Sequence, residues 1–219
     1  MDKYLRKRYL IMKFRTITKK ELIWLLVSVI TLGFCLSFLD RVALGIEPFT
    51  MFNLSISKKL HMSLGNWQVL LNCLFFIPVL LYARDQIGLG TFANMILVGY
   101  SFDFFSWINH KLIPDPVYEP LYAKILIMIP ILAIFIFAVS VYMSIQQGTA
   151  PYDAIPYILH RKIAKVPFKI IRITWDFSFC MLGVLLGAKP GIVTFIIVFA
   201  LGPTISYTSE HLISKLLNK

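Results

Sequence analysis

The sequence is poor in charge and lacks the short motifs on which common enzyme chemistries depend. Only 15% of the 219 residues are charged and 58% are hydrophobic, a balance outside that of soluble domains. It has no HExxH, GxSxG, P-loop, glycine-rich dinucleotide turn or CxxC pattern. These absences argue against a protease, a hydrolase, a nucleotide-driven motor and a redox enzyme. We therefore expect a non-enzymatic membrane protein without a cofactor.

Cysteine is scarce as well. Cys35, Cys73 and Cys180 each lie inside an apolar run, where a thiol usually behaves as a small buried hydrophobe. We expect neither a disulfide nor a metal site from them.

The basic charge is concentrated at the start of the chain. The net charge is +11, and residues 1–20 contain eight basic residues and one acid. A polybasic stretch directly before an apolar run is ordinarily a topology signal that also contacts anionic lipid. We expect residues 1–20 to form a cytoplasmic tail that binds anionic lipid, and we expect no nucleic-acid partner.

Six apolar runs are each long enough, or nearly long enough, to cross a lipid bilayer. They cover residues 22–39, 67–83, 89–108, 121–143, 170–187 and 191–207. The distribution of Lys and Arg among the loops favours both termini in the cytoplasm. The sequence thus predicts an all-α integral protein of the cell membrane with six transmembrane helices.

Two segments between these runs are too polar to span, and each begins with a proline. Proline is favoured in the first helical turn, because its missing N–H would have no partner there. Pro48 and Pro151 therefore predict short helices over 48–60 and 151–163. Such a helix is either interfacial, lying flat among the headgroups, or re-entrant.

The chain matches itself, without a gap, at a separation of 103 residues. The pairs include Gly45 with Gly148, Pro48 with Pro151, Gly88 with Gly191, Thr91 with Thr194, and Gly99 with Gly202. The predicted units are repeat 1 over 21–112, a linker over 113–120, repeat 2 over 121–212 and a cytoplasmic C-terminus over 213–219. Three spans in each repeat would invert the second relative to the first, and inverted repeats commonly bind ligands at their interface.

Candidate binding residues are the polar and aromatic groups that these elements would hold within the membrane, where each ionisable group is costly. Asp176 is preceded by Arg172 at one helical turn, so the pair neutralises itself locally or Asp176 lines a cavity together with Trp175. Asp153 either complements a helix dipole or binds solute. The full candidate set is Pro48, Thr50, Asn53, Asp103, Pro151, Asp153, Trp175 and Asp176.

The segments LGIEPFTMFNLSISKKLHMSLGNWQVLLN and GLGTFANMILVGYSFDFF resemble the YczE/YyaS/YitT group of bacterial integral membrane proteins. The likeness covers about residues 32–105 and, more weakly, 146–206, and it rests on Gly45, Pro48, Phe49, Gly99 and Asp103. Thr50 departs from the group's pattern, in which many members have an Asp or another polar residue. The resemblance implies a multi-pass membrane protein and no particular activity.

Three functions are consistent with these features. The first is a small permease-like protein that binds a small solute at the interface between the repeats. The second is a non-transporting membrane partner whose basic segment, residues 160–172, contacts another protein that the sequence does not identify. The third is a substrate-binding S-type subunit of an energy-coupling-factor transporter, to which VALGIEPFTMFNL is similar.

Overall fold

This computed structural model of the protein describes residues 16–199, and these residues form helices and no strand. Most of the predicted lipid-binding tail, the second half of the sixth predicted span and the predicted cytoplasmic C-terminus lie outside the described residues. Between residues 19 and 185 the helices are α1 (Lys19–Val42), α2 (Pro48–Lys59), α3 (Leu64–Tyr82), α4 (Leu89–Leu112), α5 (Leu121–Ser144), α6 (Pro151–Lys162) and α7 (Phe168–Leu185). Residues 192–199 are also helical.

The helix starts follow from short-range signals in the sequence. Thr18 and Glu21 form a capping box at the start of α1, in which each side chain accepts a hydrogen bond from the other residue's backbone N–H. Pro48 and Pro151 occupy the first turns of α2 and α6. The two short helices therefore begin at the predicted prolines, and each ends one residue before its predicted end.

Three described helices are long and apolar enough to cross a membrane by length and composition: α1, α3 and α5. Helices α4 and α7 occupy the third and fifth predicted spans. Helix α7 carries Lys169, Arg172 and Asp176 within its 18 residues, whereas the charges of α1 lie at its two ends and leave a long uncharged stretch between them. The described residues thus form an all-helical protein with apolar membrane-type helices, and the count of six spans stays a prediction.

The main hydrophobic core surrounds α1, which packs against both α4 and α5. Helix α1 approaches α4 closely at Gly33, where a Cβ would lie 2.5 Å from Cβ of Ser101 and 2.8 Å from N of Phe102. Elsewhere α3 packs on α4 and α6, while α2 packs on α7. Each short helix therefore packs against longer helices.

The elements of residues 19–112 and those of residues 121–199 correspond in length and in the contacts that precede the short helices. Helices α1 and α5 both contain 24 residues, and α2 and α6 both contain 12. The link before α2 contacts the start of the last described helix, where Gly45 packs on Gly191 and Thr194. The link before α6 contacts the start of α4 in the corresponding way, with Gly148 on Gly88 and Thr91.

Candidate functional site

A cavity of about 480 Å³ lies where the two short helices begin. The links and first turns of α2 and α6 form one part of its wall, and α7 forms another. The remaining wall comes from α1, α3, α4, α5 and residues 197–199, and most of these side chains are apolar. This volume lies in the range of small-molecule sites, which are mostly apolar with a few placed polar groups.

The first turns of α2 and α6 meet in the interior of the molecule. The rings of Phe49 and Tyr152 stack with centroids 4.0 Å apart and planes 21° from parallel. Phe49 is 6% exposed and Tyr152 is 1% exposed, and the two residues are 103 positions apart. Phe75, Trp175 and Phe179 complete an aromatic cluster around them. Both short helices therefore bury their N-terminal ends inside the protein.

An ion-pair network joins α6 to α7 at the cavity wall. Arg172 donates through Nη1 to Oδ1 of Asp153 at 2.6 Å and through Nε to Oδ2 of Asp176 at 3.0 Å. The hydroxyl of Tyr152 donates to Oδ1 of Asp176 at 2.8 Å. The pairing of Arg172 with Asp176 expected from their spacing is thus present, and Arg172 also bridges to the second short helix.

Glu47 is the third carboxylate at the wall and caps the start of α2. Its Oε2 accepts hydrogen bonds from Oγ1 of Thr50 at 2.5 Å and from N of Thr50 at 3.2 Å. Within residues 16–199, no cation lies at ion-pair distance from Glu47. Glu47 lies in the link between α1 and α2, and burial, with a smaller effect from Asp153 and Asp176, raises its pKa to about 7.

Two polar side chains in the wall have buried atoms without a hydrogen-bond partner among the described residues. These atoms are Oε1 of Gln68, a residue only 3% exposed, and Oγ1 of Thr149. Buried polar atoms in native proteins nearly always have a partner, from protein, water or ligand. Gln68 and Thr149 line the cavity, but these two atoms are themselves covered by protein, and Oε1 of Gln68 lies beside Gly99 of α4.

The structure brings six of the eight predicted site residues to the meeting point of the short helices and leaves two outside it. Thr50, Asp153 and Asp176 line the cavity. Pro48 and Pro151 begin the helices that frame it, and Trp175 packs behind the wall against Tyr152.

The other two predicted residues have local structural contacts. Asn53 is fully buried one turn along α2, where its Nδ2 donates to O of Phe49 at 2.8 Å. Asp103 caps α3, because its carboxylate accepts from N of Leu64 at 3.0 Å and from N of Gly65 at 2.8 Å. Neither side chain is among those that line the cavity.

Sequence reasoning did not single out Glu47 or Tyr152, and it considered Arg172 only as part of the basic segment 160–172 and as the partner of Asp176. Arg172 and Lys169 both contribute to the cavity wall. Arg161, from the same segment, pairs with Asp85, with Nη2 2.5 Å from Oδ2. Arg161 and Arg172 are thus paired within the protein. The basic segment 160–172 therefore has fewer free positive charges for contact with a protein partner than its sequence indicates. A carboxylate directly before the helix-starting proline was the signal for Glu47.

Comparison with known proteins gives a family without an assigned activity. Residues 19–210 match the model of a family of unknown function, DUF6198. The chain belongs to this family. The resemblance to the YczE group is confirmed by a Bacillus subtilis relative described as "Uncharacterized membrane protein YczE", which is 27% identical over 137 residues. That match covers 62% of this chain and 60% of the relative.

A second relative in the comparison is an "Uncharacterized protein" of Haemophilus influenzae, 23% identical over 164 residues. That match covers 75% of this chain and 72% of the relative. No solved structure matches the chain. Its composition and its likeness to YczE indicate that this chain is a membrane protein, and neither relative has an assigned activity.

Proposed function

We propose that this protein binds a small solute in the cavity between its two short helices and acts as a permease-like membrane protein. The observation that carries the proposal is the buried stacking of Phe49 on Tyr152. Helices lying flat among headgroups on opposite sides of a bilayer would keep their first turns apart. Two short helices whose N-terminal ends meet beside a cavity are the arrangement that many transporters use for their ligand.

The contacts of the described residues favour two inverted halves with three spans each. Helix α1 runs parallel to α4, because Gly33 lies beside Ser101 and Arg41 beside Asn109. Helix α3 runs antiparallel to α4, because Gly65 lies beside Tyr100 and Phe76 beside Phe92. An up-down-up half, repeated once, enters the membrane in the opposite sense. On this proposal the chain has six spans and both termini are cytoplasmic.

The helix ends supply part of the polar character of the site. Each helix N-terminus carries roughly half a positive charge on its free N–H groups. Glu47 at the start of α2 and Asp153 in the first turn of α6 lie at these two ends. The cavity thus combines acidic side chains, Arg172 and two helix ends within a mostly apolar wall, which suits a small solute with a polar group and an apolar body.

A thermal-unfolding screen of the detergent-purified chain against a metabolite library tests solute binding. A ligand present at 100 times its dissociation constant adds about 2.7 kcal/mol to the stability of the folded state. We expect a selective increase in the unfolding temperature with a small set of related compounds.

Two variants of α7 locate the site of any compound that binds. Ile173 lines the cavity, so Ile173→Trp fills it and is expected to remove the ligand-induced increase. Thr174 is the next residue, is exposed and does not line the cavity, so Thr174→Trp should keep the increase. Equal ligand effects in both variants would place binding elsewhere, and a library without effect on folded protein would contradict the proposal.

A further inference from the structure

The charged groups around the cavity do not balance when all of them are ionised. Three carboxylates are present, those of Glu47, Asp153 and Asp176, and Arg172 is paired with the last two. The two helix N-terminal ends together offset about one further negative charge. Lys169 also borders the cavity but is exposed, so solvent screens its charge. Ionised Glu47 therefore leaves about one negative charge in excess.

An unpaired charge in a buried site has to be compensated by a proton or by a cation. Among residues 16–199 there is no group of three or more His, Cys, Asp or Glu that could hold a metal ion. The wall instead consists largely of aliphatic and aromatic side chains, and aromatic faces attract organic cations. These features favour a monovalent cation that has an apolar body.

The free acceptor at the cavity points to the same chemistry. An ionised carboxylate only accepts hydrogen bonds, and no cation among the described residues lies at ion-pair distance from Glu47. An ammonium group has donors and no acceptor, so it suits the carboxylate of Glu47. A carboxylate solute would offer Glu47 no donor and would add a further negative charge.

We propose that the cavity selects a small amphiphilic ammonium cation, and that this cation competes with a proton for the carboxylate of Glu47. The inference rests on the proposed function and specifies its substrate class. Binding the cation to protonated Glu47 releases one proton to solvent, and charge balances because one positive charge replaces another.

Glu47 is the group in the network that is free to exchange a proton. The charged and titratable groups that act on it are Asp153 and Tyr152 of α6 and Asp176 and Arg172 of α7. Asp153 and Asp176 are both paired with Arg172, and the hydroxyl of Tyr152 donates a hydrogen bond to Asp176. Since burial raises the pKa of Glu47 to about 7, the competition falls within the range that calorimetry can follow.

Calorimetry with three probes of one shape tests charge selectivity. The probes are 2-phenylethylammonium, neutral 2-phenylethanol and anionic 3-phenylpropionate, each titrated into the full chain in detergent. We expect the ammonium probe to bind best and its affinity to be about tenfold higher at pH 8 than at pH 6. At pH 6, buffers of different ionisation enthalpy should report the release of about one proton for each cation bound.

Two variants assign the effect to Glu47. Glu47→Gln should lose at least tenfold in affinity for the ammonium probe at pH 8 and should lose its pH dependence, while binding of the alcohol changes little. Glu119→Gln alters an exposed acid outside the cavity wall and should behave like the parent chain. Thr50→Val keeps the carboxylate but removes a hydrogen bond that lowers the pKa of Glu47, so the pH midpoint should move upward.

Several results would overturn the cation proposal. Preference for the alcohol or the carboxylate, affinity that is independent of pH, or undiminished ammonium binding by Glu47→Gln would each exclude it while leaving solute binding in place. Absence of binding by all three probes also overturns it. The library screen then decides separately whether the cavity binds any solute at all.

Discussion

Arg172 is the residue on which the charge balance of the cavity depends. Its guanidinium bonds to two carboxylates, and the side chain is 26% exposed. Removing one partner of a buried ion pair leaves an uncompensated charge, which typically costs 3–5 kcal/mol when burial is complete. Because Arg172 and Asp153 are partly accessible, we expect Arg172→Met to lower the free energy of unfolding by about 2–3 kcal/mol.

Thermal unfolding in detergent measures this loss. Adding Asp153→Asn and Asp176→Asn to Arg172→Met removes the two unpaired charges, so the triple variant should regain part of the stability. An Arg172→Met chain as stable as the parent would show that the ion pairs contribute nothing.

Glu47 gives the stability of the protein a defined pH dependence. Its pKa is raised in the folded state, so the folded chain holds this proton more tightly than the unfolded chain does. The resulting stabilisation is complete below the unfolded pKa of about 4.5 and is lost as the pH rises through about 7. We expect the unfolding temperature to fall between pH 5 and pH 8.

The Glu47→Gln variant separates this group from the others that titrate. Its unfolding temperature should fall less steeply over the same range, because the loss assigned to Glu47, of order 3 kcal/mol, is absent. Parallel curves for the two chains would mean that Glu47 titrates normally in the folded protein.

At the same scale, the sequence predicted side chains whose role follows from local spacing and missed those that act across the fold. Arg172 and Asp176 are one helical turn apart, so their pairing follows from the helix alone. Asp153 reaches Arg172, and Asp103 reaches the start of α3, only through tertiary packing. An aspartate inside an apolar run therefore indicates a special contact without telling whether that contact is a ligand or a helix end.

At the scale of the element, the start of α3 depends on Asp103. Its carboxylate accepts from two of the free N–H groups at the helix start, and Ser63 accepts from N of Asn66. Asp103→Asn keeps one acceptor and loses the negative charge, so we expect a cost of about 1 kcal/mol in unfolding free energy. Ser63→Ala, at the same helix start, should cost a similar amount.

Ligand binding distinguishes this helix-capping role from the binding role that the sequence indicated for Asp103. A folded Asp103→Asn chain should bind the compounds identified in the library screen as the parent chain does, because its side chain does not line the cavity. Lost binding at unchanged stability would restore Asp103 to the site.

The links before the short helices depend on glycine for two reasons that can be separated. Gly148 has φ +91°, and a Cβ there would lie 2.5 Å from N of Gly88. Gly187 follows α7, outside both links, and serves as the comparison. It has φ +96°, but no atom of the surrounding structure lies within 4 Å of its would-be Cβ. Gly187→Ala should therefore cost about 1–2 kcal/mol from backbone conformation alone. Gly148→Ala should cost several kcal/mol, because backbone atoms must also move.

Unfolding temperatures of the two alanine variants provide the comparison. Similar losses would mean that the link before α6 can shift away from α4, and that the close crossing is not required for the fold.

For the molecule as a whole, the sequence predicted the order and the approximate bounds of the described helices, but not which of the links between them are in contact. Matching Gly45 with Gly148 and Gly88 with Gly191 revealed two similar halves. In the structure, however, Gly45 packs on Gly191 and Gly148 packs on Gly88, so each link contacts an element of the opposite half. Self-comparison detects equivalence between positions, whereas contact between halves depends on how they pack together.

The two short helices meet at the cavity, and a cross-link in native membranes measures this contact directly. Cys35, Cys73 and Cys180 are first replaced, and Phe49→Cys and Tyr152→Cys are then introduced together. A protease site inserted in residues 113–120 allows the chain to be cut between the two positions. After treatment with a short bifunctional thiol reagent, we predict that the two fragments stay joined, since the native rings stack at 4.0 Å.

Either single-cysteine variant should release its fragments under the same treatment. Short helices lying flat on opposite faces would be separated by about 30 Å of hydrocarbon, too far for the reagent. Fragments that separate in the double variant as they do in the single ones would contradict the buried meeting point and, with it, the cavity on which the proposed function rests.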